Sequence, residues 1–296
     1  MPVKQKIAIV GAGRLGTALI RELSRAKYKI SEVISRDKAA SKTRASQLVK
    51  MVSARAATMQ TAQFDAEVIW ICVPDAEISC VAHELAAVHP SAIQKRSAKK
   101  PWQGKVVFHS SGALVSDELN VLRERGAAIA SVHPMMTFVR GSAPSLKGVA
   151  FGIEGDVLAV RKAKKIVRQF GGEAYTVRKE DKAVYHAWGT FLSPLLLAFL
   201  VTAENVARAA GISAQDARKK MLPIVRQTLA NYAALGPEEA FSGPIVRGDI
   251  ETIGKHLRIL KKIPRARSVY VELAKSAMVH LPGKNRRELK KLLDAD

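Results

Sequence analysis

Ile7-Ala8-Ile9-Val10-Gly11-Ala12-Gly13-Arg14-Leu15-Gly16 decides how the first half of this 296-residue chain is read. Four apolar residues in a row suit a strand buried on both faces. The G-x-G-x-x-G string comes next and opens a helical pattern that sets Leu15, Leu19 and Leu23 on one face. A glycine-rich turn between a strand and a helix is the dinucleotide-binding fingerprint. Gly11 makes the tight turn, Gly13 lets backbone approach a pyrophosphate, and Gly16 allows close helix-strand packing. Gly11, Ala12, Gly13, Arg14, Leu15 and Gly16 are therefore the expected phosphate cradle.

The same alternation continues outward. Apolar runs at 30–34, 68–73, 106–108, 127–132, 149–153 and 174–177 read as further strands, with amphipathic segments at 14–27, 38–50, 75–88 and 115–124 between the early ones. Such β-α alternation predicts an α/β, doubly wound Rossmann-like domain over 1–178, largely parallel, with ligands at the carboxyl ends of its strands. After residue 178 the strand signal stops. Helical patterns at 181–210, 213–234, 249–261, 265–281 and 285–294, broken by Gly211, Gly236-Pro237 and Gly243-Pro244, predict an all-α domain over 179–296 for substrate binding and dimerisation.

Composition excludes several classes. With 48% hydrophobic and 25% charged residues, the chain is neither disordered nor fibrous. Two cysteines, Cys72 and Cys80, in no metal-ligand spacing, point to a reducing cytoplasm and no metal. The first residues run into a strand pattern without a signal core. The formal charge of +22 invites a nucleic-acid reading. Yet 28 basic and 14 acidic residues precede residue 179, and 20 and 12 follow, so no basic tail or domain stands out and no nucleic-acid partner is expected. The densest cluster, Lys95-Arg96 with Lys99-Lys100, reads as a solvated loop. The overall field favours a small anionic substrate. The apolar run 187–203, at 17 residues with Ser193, Pro194 and Thr202 inside, is shorter than the roughly 20 residues a membrane span needs. It reads as a buried helix at a homodimer interface rather than a membrane segment.

Strand ends supply the candidate site. NAD-binding folds place a carboxylate after the second strand; here Ser35-Arg36-Asp37 follows it. Ser35 and Arg36 suit a 2′-phosphate, which favours NADP, and Asp37 reads as a helix cap. Val73 and Pro74, with Asp75 as another cap, and Ser110 are expected to border the cofactor. The edge also carries His109, Ser111 and His133. In the second domain Lys182, His186, Gly189 and Ser193 are spaced by 4, 3 and 4, which puts them on one helix face. Buried and unpaired, such polar groups would cost roughly 1–3 kcal/mol each.

Taken in order, the fingerprint, Ser35-Arg36, Val73-Pro74-Asp75, the string from His109 to Leu114, His133-Pro134, Lys182 with Tyr185-His186, and Gly243-Pro244-Ile245-Val246-Arg247-Gly248-Asp249 resemble a known bacterial pattern. It is that of the family built from a Rossmann-like domain plus domain of unknown function 2520. That family is similar in architecture to pyrroline-5-carboxylate reductase, the deazaflavin-dependent NADP reductase and the β-hydroxyacid dehydrogenases. The resemblance implies an NADP-binding reductase that dimerises through its helical domain. Lys182 falls near the helix-borne catalytic lysine of ketopantoate reductase and the β-hydroxyacid dehydrogenases. Those families carry Asn three or four residues later, where this chain has Tyr185 and His186, and Ser193 stands where relatives often show Asn. The expectation is an NADP-dependent oxidoreductase acting on a small carbonyl or imine compound between the domains. Lys182 would serve as proton donor or charge stabiliser, with His186 and His133 orienting the substrate. The rival expectation is a non-catalytic NADP-binding sensor or scaffold.

Overall fold

A computed structural model describes residues 5–88, 100–140, 142 and 144–295, so Lys95, Arg96 and Lys99 of the basic cluster lie outside the described residues. The chain forms two compact units, the first ending at Thr190 and the second starting at Phe191.

The first unit runs through β1 (Lys6–Val10), α1 (Arg14–Arg25), β2 (Lys29–Ile34), α2 (Ala39–Lys50), β3 (Arg55–Ala57), β4 (Val68–Ile71), α3 (Asp75–Ala87) and β5 (Val106–His109). A 3-10 turn at Ser116–Leu119 leads into α4 (Asn120–Glu124), β6 (Ala128–Pro134), β7 (Ala150–Gly155), α5 (Val157–Gln169), β8 (Glu173–Thr176) and α6 (Lys182–Thr190). One sheet holds all eight strands in the order β3-β2-β1-β4-β5-β6-β7-β8. Strand order reverses across β1, which makes the sheet doubly wound. Every neighbouring pair is parallel except β6 with β7.

Period-two alternation divides the core in two. Ile7 and Ile9 join Leu19, Ile20 and Leu23 on one face of the sheet, whereas Ala8 and Val10 join Ile78 and Leu85 on the other. Both faces are covered, so these strands read as unbroken apolar runs rather than as alternating patterns. Register then sets the ligand edge. Val10 pairs with both Ile34 and Ile71, so Gly11, Ser35 and Cys72 emerge side by side. His109 pairs with Ile71 and Ser131, and β6 carries the edge on to His133.

Two expected caps are filled differently. Lys38, not Asp37, is the N-cap of α2, and Asp37 instead pairs with Lys42. Pro74 is the N-cap of α3, and Asp75, the first helical residue, accepts a hydrogen bond from Ser111 Oγ at 2.7 Å. In each case the carboxylate is held by a side-chain donor and caps no helix N–H.

The second unit contains a π turn (Phe191–Leu195), α7 (Leu196–Ala209), α8 (Ala214–Leu235), the short α9 (Pro237–Ala240) and α10 (Pro244–Arg247), then α11 (Ile250–Leu260), α12 (Ala266–His280) and α13 (Arg286–Asp294). Its main buried cluster is Ile253, Leu257, Val271, Ala274, Leu289 and Leu293, all on α11, α12 and α13. The string from Gly243 to Asp249 is built into two helix ends here. Pro244 starts α10, Gly248 closes it in the left-handed region at φ 63°, and Asp249 caps α11 by accepting from Thr252 N at 3.1 Å. Asn285 Nδ2 donates to the Gly248 carbonyl at 3.0 Å and ties this turn to the start of α13.

The apolar run 187–203, which by pattern is a buried helix, is not buried within the chain. Trp188, Phe191, Leu192, Leu197 and Val201 are each about half exposed or more, and α8 adds exposed Ile224, Leu229, Tyr232 and Leu235. Helical structure spans Lys179–Ala209, 31 residues, so by length and composition this stretch could cross a membrane and shortness does not exclude it. The sequence pattern also treats it as one α-helix. Pro194, which has no N–H for the i→i−4 ladder, instead sits in the π turn, whose wider geometry breaks the 4-3-4 spacing before Ser193.

Candidate active site

The first turn after β1 has the steric form of a phosphate cradle. Gly11 holds φ +109°, and a Cβ there would lie 2.5 Å from the Cys72 carbonyl oxygen; a Cβ on Gly16 would overlap the carbonyl of Gly11. A Cβ on Gly13 would meet only the Cys72 carbonyl, at 3.8 Å. Among the described residues nothing thus demands glycine at 13, the position where a ligand would come closest. Among the described residues no side chain caps α1, and no acidic residue lies in its first turn, which leaves its N–H groups and positive dipole end to an anion. Arg14 is exposed and donates to the Phe138 carbonyl at 2.6 Å, while Leu15 and Ala12 pack inward.

Beside the cradle, Ser35 is buried and Arg36 exposed; Arg36 Nη1 pairs with Glu77 Oε1 of α3 at 2.9 Å. Val73 is half-buried and Pro74 exposed at the end of β4. Ser110 Oγ accepts from the Trp70 indole at 2.8 Å, which leaves its own proton to give. Burial pushes the neighbouring Cys72 thiol up to about 12 and keeps it unreactive at neutral pH. These residues fit a dinucleotide carrying an extra phosphate.

The loop after β5 is held from three sides. His109 Nδ1 accepts from Ser111 N at 3.1 Å, Ser111 Oγ accepts from Ala113 N and Leu114 N, and Lys182 Nζ donates to the Ser111 carbonyl at 2.9 Å. Lys182 also donates to Ser131 Oγ at 2.8 Å and is only 2% exposed. It makes no ion pair among the described residues. Burial brings it down to about 8, against the opposing pull of Glu154 and Asp75. His109 falls to about 4, chiefly through burial, with Lys182 adding to the shift.

α6 runs along β6. Lys182 meets Ser131, Tyr185 Oη lies 2.9 Å from His133 Nδ1, and a Cβ on Gly189 would come 2.9 Å from Met135 Sδ. The inward face is therefore Lys182, Tyr185 and Gly189. His186 stands exposed on its flank, its ring centroid 6.2 Å from that of His133, with Gly112 packed between the two imidazoles. Lys182, His133 and His186 are brought together in the first unit, whereas Ser193 lies within the π turn that begins the second. The sequence names Tyr185 only as a departure from the Asn of related families and gives it no role; in the fold its ring packs on Gly152, the antiparallel partner of His133.

Comparison with known proteins agrees with this architecture. Residues 1–134 match the Rossmann-like domain model and residues 149–277 match domain of unknown function 2520. No curated protein matches. Among solved structures, protein TM1727 from Thermotoga maritima is similar at TM-score 0.70 and 24% identity, covering 96% of this chain and 98% of that one. A reductive aminase from Aspergillus terreus in complex with NADPH and ethyl-5-oxohexanoate aligns at TM-score 0.63 and 18% identity, over 97% and 99%. A pyrroline-5-carboxylate reductase from Coxiella burnetii aligns at TM-score 0.57 and 15% identity, over 98% of each chain. The shared feature is the fold.

Proposed function

We propose that this chain, a Rossmann-like domain followed by domain of unknown function 2520, is an NADP(H)-dependent oxidoreductase for a small carbonyl or imine compound. The observation that carries the reading is one sheet edge bearing the glycine cradle after β1 and His133 on β6, with Lys182 and His186 of α6 packed against β6. The NADPH-bound reductase neighbours support it. When bound, NADP(H) supplies or takes up the hydride. The chain's own residues do the rest. His133 and His186 hold the reacting oxygen or nitrogen, and Lys182, near 8, supplies a proton or fixed positive charge as negative charge develops there. The net charge of +22 favours an anionic substrate. A reducing cytoplasm suits the two free thiols, Cys72 and Cys80. The test is NADPH oxidation followed against pooled keto acids, cyclic imines and oxidised deazaflavin. Tight NADPH binding with no turnover on any of them would make the chain a sensor or scaffold instead.

Ser35 and Arg36 are assigned to the 2′-phosphate. Arg36→Ala is expected to weaken NADP binding roughly ten- to a hundredfold, about 1.5–3 kcal/mol, and NAD binding little. Equal losses in calorimetric titrations of both cofactors would remove the assignment.

The second unit is proposed to pair with a second copy through α7 and α8, which leave Leu197, Val201, Ile224, Leu229 and Tyr232 exposed. Leu197, 62% exposed, tests this without disturbing the core of α11, α12 and α13. Leu197→Glu should convert a dimer in light scattering into a folded monomer. A wild-type protein that scatters as about 32 kDa at micromolar concentrations, or that sediments with lipid vesicles, would overturn the pairing.

A further inference from the structure

Tyr185 lies on the inward face of α6 between Lys182 and Gly189 and has no part in the proposed hydride transfer. It is buried, with its ring edge-on to His133 at 5.5 Å and to Tyr175 at 6.2 Å. Gly152 of β7 closes the remaining side, since a Cβ there would sit 2.6 Å from the phenol Cζ and 2.7 Å from Oη. The phenol is thus caged with its oxygen 2.9 Å from His133 Nδ1 and 3.4 Å from the His133 carbonyl. It has a single proton to give. Of its two acceptors on His133, Nδ1 lies at ordinary hydrogen-bond distance and the carbonyl at its outer limit. An Nδ1 that accepts carries no proton, so the one proton of a neutral imidazole resides on Nε2. Nε2 lies on the side of the ring that faces Gly112, 2.8 Å from where a Cβ would stand, and it makes no hydrogen bond among the described residues.

We propose that Tyr185 is a positioning residue that locks His133 in the Nε2–H tautomer, so that His133 offers a hydrogen-bond donor, not an acceptor, to the oxygen or nitrogen of the reacting group. The inference rests on the carbonyl-or-imine reading and narrows it. A donor at this point matches a neutral C=O or C=N, which has a lone pair to accept it and gains charge on that atom as hydride arrives at carbon. It does not match an iminium cation, which has no lone pair there. Burial, reinforced by Lys182, His186 and His109, holds His133 down at about 3, so at neutral pH its tautomer rather than its protonation decides what Nε2 presents. Nε2–H remains a donor throughout, and no proton leaves His133 in this role.

The test is nitrogen-15 NMR of histidine-labelled protein, with the His133 signals assigned by their loss in His133→Gln. The wild type should show the Nε2–H pattern. Tyr185→Phe, which keeps the ring and removes only the hydroxyl, should move His133 toward the Nδ1–H form or a fast-exchanging mixture. The same variant should lower kcat on a carbonyl about tenfold while KM for NADPH stays constant. Placed on His133→Gln, whose amide N–H stands near the Nε2 position, Tyr185→Phe should cost nothing further. An Nδ1–H or mixed pattern in the wild type overturns the inference whether or not any variant folds. So does an unchanged tautomer in Tyr185→Phe. A tautomer that shifts as expected in a protein that reduces no carbonyl or imine would leave the Tyr185–His133 lock standing and remove the proposed function.

Discussion

Gly16→Ala is expected to lower the melting temperature of the protein and to weaken NADPH binding a hundredfold or more. The added methyl would overlap the Gly11 carbonyl, a backbone atom with no rotamer to change, so α1 must move off the turn that it packs against. Overpacking of this kind typically costs about 1–3 kcal/mol in stability. The cradle deforms with it. Gly13→Ala is the informative partner, because its methyl would meet only the Cys72 carbonyl at an ordinary 3.8 Å. This variant should melt like the wild type and still lose at least tenfold in NADPH affinity, because the space it fills is the one proposed for the pyrophosphate. Calorimetric titration beside thermal melts separates the two. Normal affinity in Gly13→Ala would show that the turn does not hold the phosphates.

Lys182→Ala is expected to reduce kcat by about a hundredfold or more, with NADPH affinity close to that of the wild type. The rate of carbonyl reduction should also fall above about pH 8 as the buried ammonium titrates, and Lys182→Arg, which stays charged, should lose that limb. Full activity in the Arg variant across pH would leave Lys182 an electrostatic role and exclude it as proton donor. Stability carries the same signature. Burial lowers Lys182 from 10.5 to about 8, so between those values the unfolded chain binds a proton that the folded chain does not. Stability from this group therefore rises with pH across that window, is fully present above 10.5, and is lost as pH falls to about 8. Lys182→Met should flatten this part of a denaturant-unfolding profile.

The doubly wound core could be read from the sequence because its strands are buried on both faces and therefore appear as continuous apolar runs. β3 could not: Arg55-Ala56-Ala57 is three residues long, opens on a charge and binds only the edge of β2. Strand direction is not encoded in an apolar pattern either, so the antiparallel turn of β7 against β6 appears only in the fold. Gly11 and Gly16 were legible because their constraint is local and steric. The polar cluster was legible as a set of residue types on a helix but not as a geometry. Counting by 3.6 joined His186 to Lys182 and carried on to Ser193, whereas packing on β6 selected Tyr185, three residues after the lysine, and left His186 on the flank. Asp37 and Asp75 show the same limit, since their partners Lys42 and Ser111 are chosen by the folded chain.

The open apolar faces of α7 and α8 bear on how the protein behaves outside the flask in which it is assayed. A newly made copy presents Ile224, Tyr232, Leu197 and their neighbours to water before any cover is found. With a second copy as that cover, folding and association are linked, and the thermal midpoint climbs with protein concentration. Dilute protein is then the vulnerable form. Proteases and chaperones that recognise exposed apolar helix would act on it first, and the abundance of the enzyme would depend on its own rate of synthesis more steeply than that of a monomer.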